Sequence, residues 1–309
     1  MIEVYRGSPN AWECDEMGHM NVRFYISKLI EGLGVFCFKT GMPHAFRPNA
    51  PSTVELKDLH IRFVKEAHAG APIYMRAGVV EIKESSALLY MQLNHLDGAP
   101  CAVFRLWIDH IDIHTGKPFL WSPKTIAAFK TIPADMPEKL APRSLPFDVP
   151  PNPAPTIDAA LEIGALEIGS GLIMPDHCDV FGNMKTECFI GRISDSTPHF
   201  IDAEGTGLSR SPKAHASGPR IGTAALEYRF AFHNTPTAGD IFQLFAGSAG
   251  FSDKTFSLYY WLMDPYRNTA FATVQATLIQ FDLDERKAIT PPAGAFEAIE
   301  KVIPRGMWL

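Results

Sequence analysis

Two stretches of this 309-residue chain are the same stretch written twice. Residues 14–31 read CDEMGHMNVRFYISKLIE, and residues 178–195 read CDVFGNMKTECFIGRISD. At an offset of 164, Cys14 meets Cys178, Asp15 meets Asp179, Gly18 meets Gly182, Met20 meets Met184 and Ile26 meets Ile190. Further along, Leu59-His60-Ile61-Arg62-Phe63 lies over Leu226-Glu227-Tyr228-Arg229-Phe230, and Asp112 lies over Asp282. The offset drifts only by small loop insertions. A period of 164 to 170 residues is the size of a whole domain with its linker, so the pattern means two tandem domains and not a solenoid.

The joint between the copies is written in proline. Eight prolines fall from Pro133 to Pro155, a density that neither a helix nor a central strand survives. The expected organisation is a first domain over 1–132, an extended linker over 133–158 and a second domain over 159–309. Within the first copy a short strand is expected near 2–12. A helix follows from Asn21 to Lys39, because Val22, Ile26, Leu29, Leu33 and Phe36 recur at spacings of three and four. Four strands are expected near 54–65, 71–82, 87–96 and 101–113, with Asp97-Gly98 as a hairpin turn, and a short helix near Ser122–Phe129. The second copy repeats this, with a helix from Met184 to His199 cut short by Pro198 and strands near 223–233, 240–251, 255–264 and 269–283. One long helix followed by antiparallel strands is an α+β pattern.

Composition excludes several functions. A net charge of −6 offers no basic footprint for nucleic acid. No run of about 18 apolar residues predicts a membrane span, and the N-terminus lacks a secretory pattern. Five cysteines, an odd number without a Cys-x-x-Cys pair, are expected as free thiols in a reducing cytoplasm. No His-Glu-x-x-His spacing suggests a metal, and no Gly-x-Ser-x-Gly elbow suggests an α/β-hydrolase.

The segment Trp12 to Asn21 resembles the Asp-x-x-Gly-His-x-Asn signature of the 4-hydroxybenzoyl-CoA thioesterase-like branch of the hotdog acyl-CoA thioesterases. Asp112-Ile113-His114-Thr115-Gly116-Lys117-Pro118 resembles the end of that family's last strand. The resemblance covers nearly all of the first half and, more weakly, the second. It implies two tandem hotdog domains, each an antiparallel sheet wrapped around a long helix. It also implies active sites between paired hotdogs and acyl-CoA as substrate, without metal or redox cofactor. Exposed sheet edges after such a fusion predict a homo-oligomer.

Thioester hydrolysis needs an activated water or a nucleophile, a cradle for the oxyanion and a grip on the CoA. Asp15 can serve as base or nucleophile. Amide groups from Gly18 to Asn21, at a helix start, are expected to hold the oxyanion. His19 and Asn21 would orient water or the carbonyl, and Gly18 admits close approach of backbone to ligand. A bland reading stands beside this one: Asp and Asn are ordinary turn and cap residues, and duplication copies turns as well as catalysts.

The copies also diverge. His19, Asn21 and Arg23 become Asn183, Lys185 and Glu187. Asp179, Gly182 and Asn183 therefore mark either a degenerate site or a different pocket, with Glu187 a reserve carboxylate. Trp12 and Tyr25 flank the Asp15 turn as candidates for the acyl pocket, where aromatic faces could also hold a quaternary ammonium acyl group. Arg210, Lys213 and Arg220, in a Gly/Ser/Pro-rich stretch, are either phosphate contacts or part of a solvated insertion. His114 to Lys117 is read as a turn. Two competing classes remain: a hotdog hydratase, whose Asp-x-x-x-x-His segment is only loosely approached here, and a non-catalytic acyl-CoA binding protein.

Overall fold

The computed structural model describes residues 1–15, 17–201, 221–282, 284–285, 287–290 and 294–309. Arg210, Lys213 and Arg220 lie outside the described residues. The chain divides into two compact units, Met1–Arg143 and Ser144–Leu309.

The first unit holds β1 (Ile2–Gly7), α1 (Val22–Lys39), β2 (Ser52–Phe63), β3 (Ile73–Ile82), β4 (Ser86–His95), β5 (Pro100–Asp112) and α2 (Pro123–Lys130). Its strands run in the order β1-β3-β4-β5-β2, all antiparallel. The second unit opens with α3 (Ile157–Ile163) and β6 (Leu166–Leu172), followed by α4 (Thr186–Ser196) and α5 (Pro198–Ile201). It continues through β7 (Ile221–Phe232), β8 (Ile241–Phe251), β9 (Thr255–Asp264), β10 (Thr269–Asp282), β11 (Lys287–Ile289) and α6 (Ala295–Val302). Its order is β6-β8-β9-β10-β7, with β11 added on β10.

The duplication extends to irregularities. A bulge at Val4 in β1 recurs at Ile168 in β6, and one at Val80 in β3 recurs at Ala249 in β8. An extra residue kinks and twists a strand, so repeated bulges mean the two sheets curve by the same device. Helix α2 also has its counterpart in α6. After each, the chain returns to the bulged strand: Ile132 carbonyl accepts from Val79 N–H, and Pro304 carbonyl from Ser248 N–H.

Helix α1 lies against β1 and β3 with Ile26, Leu29, Leu33 and Phe36 fully buried. Its close approach depends on Gly32, where a Cβ would come within 2.9 Å of Met75 Sδ and 3.3 Å of Val4. The proline-rich stretch is pinned by two equivalent arginines. Arg62 Nη1 donates to the carbonyls of Lys139 and Ala141, both at 2.8 Å. Arg229 donates to those of Pro146 and Val149. Where proline removes donors, the linker carbonyls still need partners, and buried guanidinium groups supply them.

Some boundaries differ from expectation. The first strand ends at Gly7, and residues 11–13 form a 3-10 turn. Helix α4 ends at Ser196, where Thr197 Oγ1 turns back on the Ile193 carbonyl and Pro198 opens a separate turn of helix. Helices α3 and α6 were not expected, although α6 could have been inferred from α2 by the repeat itself.

Candidate active site

Asp15 stands in a tight turn between the 3-10 turn and α1. Its Oδ1 accepts from Met17 N–H at 2.9 Å and from His19 N–H at 3.3 Å. Its own N–H donates to the His19 carbonyl at 2.8 Å, and its carbonyl accepts from Gly18 N–H at 3.0 Å. Gly18 makes this possible by adopting φ +81, a region that strains any residue with a Cβ. The side chain is half-buried, and Oδ2 takes no hydrogen bond from the described residues. One oxygen therefore locks the carboxylate in place.

The same turn is built again around Asp179. Its Oδ1 accepts from Phe181 N–H at 2.8 Å and Asn183 N–H at 3.1 Å, with Gly182 at φ +83. Asp179 is more exposed than Asp15. Asn183 contributes its backbone to this turn, Lys185 begins α4 without a side-chain cap, and Glu187 sits half-buried in the first turn.

The expected oxyanion cradle needs correction. Every amide from Gly18 to Asn21 is already engaged: Gly18 and His19 on Asp15, Met20 on the Ala67 carbonyl (2.7 Å) and Asn21 on the Glu13 carbonyl (2.9 Å). Asn21 is the N-cap of α1, its Oδ1 accepting from Arg23 N–H at 2.9 Å. The amide left at the helix start is Val22 N–H, which has no partner among the described residues. The Gly18 and His19 amides close the turn, Ala67 and Glu13 take the next two, and a first helical N–H is left over.

His19 is buried, with Nε2 3.4 Å from Glu66 Oε2 and its ring edge on His68 at 5.3 Å. Tyr25 is buried against Phe63, and its hydroxyl oxygen accepts from Ala67 N–H at 3.3 Å. Burial pushes its phenol well above the usual range. Tyr25 thus packs as a core ring, whereas Trp12 is 77% exposed on the 3-10 turn. His114 to Lys117 is a turn closed by Asp112 Oδ1, which accepts from the N–H groups of His114 and Thr115. Those donors, the Thr115 amide first, hold the Asp112 carboxyl below its ordinary range.

Spacing gave no sign of Glu66, His68 or the Glu13–Lys28 pair. Lys28 Nζ meets Glu13 Oε1 at 2.6 Å with only 7% and 8% of the side chains exposed. A lysine inside an apolar helical stripe was the available signal. Glu66 and His68 are distant in sequence, and only the fold brings them to the turn. Among the described residues no cluster of His, Cys, Asp and Glu could hold a metal ion, and no helix is long and apolar enough to cross a membrane.

Two units of one antiparallel sheet and one long helix, each with an aspartate turn at the helix start, define a double-hotdog thioesterase architecture. A model of the thioesterase-like superfamily matches residues 9–140 and 173–299, so the chain belongs to that superfamily and is a thioester hydrolase. Its fold is similar to that of an acyl-ACP thioesterase from Bacteroides thetaiotaomicron, with TM-score 0.62 and 14% identity over 89% of this chain and 96% of that one. It is also similar to a 12:0-ACP thioesterase from Umbellularia californica, with TM-score 0.64 and 7% identity over 89% and 93%. A comparison with curated proteins finds no match.

Proposed function

We propose that the enzyme hydrolyses acyl-CoA to the free acid and CoA, with Asp15 as general base or nucleophile. The observation that carries this reading is the Asp15 carboxylate, fixed through Oδ1 while Oδ2 takes no hydrogen bond from the described residues. As base, Oδ2 takes a proton from water while the water oxygen bonds to the thioester carbon. The C–S bond then breaks, and the thiolate recovers the proton from Asp15. As nucleophile, Oδ2 attacks the carbon itself, CoA thiolate departs, and water hydrolyses the resulting anhydride. In either case Val22 N–H is the donor we assign to the oxyanion, aided by the positive end of α1. The step needs no metal or redox partner, so chelators are expected to leave the rate unchanged.

His19 would orient the water or the carbonyl, and Asn21 acts on the site as the cap that starts α1. Trp12 is the aromatic surface we assign to substrate. Asp179, Gly182 and Asn183 form a second turn of the same design, which we read as the weaker site because Asn183 and Lys185 replace His19 and Asn21 there. All five cysteines are free thiols, which suits a cytoplasmic setting, and we expect a homo-oligomer.

The test is a panel of acyl-CoA and acyl-ACP substrates with wild type and Asp15→Asn. Hydrolysis of acyl-CoA that Asp15→Asn abolishes supports the reading, and equal rates overturn the site. Single turnover in H2 18O tests the nucleophile, since label in Asp15 requires the anhydride route with water attacking the Asp15 carbonyl carbon.

A further inference from the structure

The loop between β2 and β3 holds the Asp15 turn from a second side. His68 Nδ1 lies 3.1 Å from the Gly18 carbonyl, while Glu66 Oε2 lies 3.4 Å from His19 Nε2 and 4.0 Å from His68 Nε2. One carboxylate thus stands by two imidazoles, and both imidazoles meet the turn that presents Asp15. Facing a carbonyl, His68 Nδ1 must carry a proton.

The Gly18–His19 peptide is the mechanical link. Its carbonyl rests on His68, and its N–H donates to Asp15 Oδ1. Among the described residues, no atom beyond Gly18's own chain neighbours lies within 4 Å of where its Cβ would be, so no side chain packs on that face to lock this peptide. Hydrogen bonds at its two ends must do so. In the second unit the equivalent frame forms without this equipment. Met184 N–H donates to the Pro236 carbonyl at 2.8 Å and Asn183 pairs with Thr237, while Thr235 stands where Glu66 does in the first unit. The backbone arrangement therefore does not require the ionisable side chains.

We propose that Glu66 and His68 are positioning residues of the first unit's site. Glu66 orients the His19 ring, and His68 fixes the peptide that aims Asp15, a support by ionisable side chains that Thr235 and Thr237 do not repeat in the second unit. This rests on Asp15 being the reacting carboxylate.

The experiment is steady-state hydrolysis of an acyl-CoA by Glu66→Ala, Glu66→Gln, His68→Ala, His68→Asn, Thr235→Ala and Asp15→Asn, with each melting temperature measured. Misplacing a reacting group by about 1 Å costs on the order of 100-fold, so the alanine variants should lose roughly 10- to 100-fold in kcat with KM little changed. Glu66→Gln keeps an acceptor oxygen and His68→Asn keeps a donor at the Nδ1 position, so both should recover most of the loss. Thr235→Ala should match wild type. Wild-type kcat in the alanine variants overturns the inference, as do conservative variants no faster than alanine. An inactive Asp15→Asn beside a fully active Glu66→Ala removes the positioning role alone. A fully active Asp15→Asn removes the reading beneath it.

Discussion

Replacing Lys28 with methionine tests whether the Asp15 turn and α1 are tied by charge. The ammonium sits 2.6 Å from Glu13 Oε1, and both side chains are more than nine-tenths buried. Removing one partner of such a pair strands a buried charge, at about 3–5 kcal/mol. The structure argues for the lower end, because Glu13 keeps a second donor in Asn10 N–H at 2.8 Å. For a domain of this size, about 3 kcal/mol is roughly 6–12 °C in Tm. The double variant Glu13→Gln, Lys28→Met leaves no stranded charge and should regain most of the loss. Burial alone would lower the Lys28 pKa, but the Glu13 carboxylate, with Tyr5 and Glu31, outweighs it and lifts the group above its ordinary 10.5. A raised folded pKa means the pair's stability is complete at neutral pH and is lost only as pH climbs through that raised value. The assay is therefore thermal unfolding near pH 7, followed by circular dichroism. Activity should fall as well, since the Glu13 carbonyl holds Asn21 N–H at the start of α1. A Lys28→Met protein with wild-type Tm, or a double variant no more stable than the single one, would refute the reasoning.

Gly18→Ala and Gly182→Ala should each cost about 1–2 kcal/mol in urea unfolding, because only the positive φ is penalised where no neighbouring atom is met. Asn21→Ala removes the cap of α1 and should cost about 1 kcal/mol by the same measurement; an unchanged midpoint would show that Oδ1 contributes nothing. Trp12→Ala, on an exposed side chain, should leave Tm unchanged and raise KM for acyl-CoA; equal KM would remove it from the substrate surface. Burial holds the His110 pKa below its ordinary 6.5, so the unfolded chain binds the proton first as pH falls and stability declines below pH 6.5. His110→Gln should flatten that decline in a series of melting curves, and an unaltered slope would assign it to other groups.

Much of the fold is legible in the chain because its causes are local. The apolar spacing from Val22 to Phe36 carries the helical period, and the repeat at Asp179 makes the same turn twice. The Asp15 turn itself is closed by residues no more than four apart, so its shape follows from Asp, Gly and their spacing. Irregularities were less legible. Nothing in the letters marks Val4 and Ile168 as bulges, since each depends on the strand opposite.

The sequence by itself determined the duplication, the α+β order of each half and a carboxylate turn before a helix, because hydrogen bonds and apolar periodicity within a few residues suffice for all three. Only the tertiary structure decided which amide remains open, since Met20 N–H is taken by Ala67 from a loop 47 residues away. It likewise decided that Lys28 is buried on Glu13 and that Glu66 stands beside His19. Such contacts are set by how a sheet and a helix close on each other in space, and residues brought together that way carry no fixed spacing along the chain.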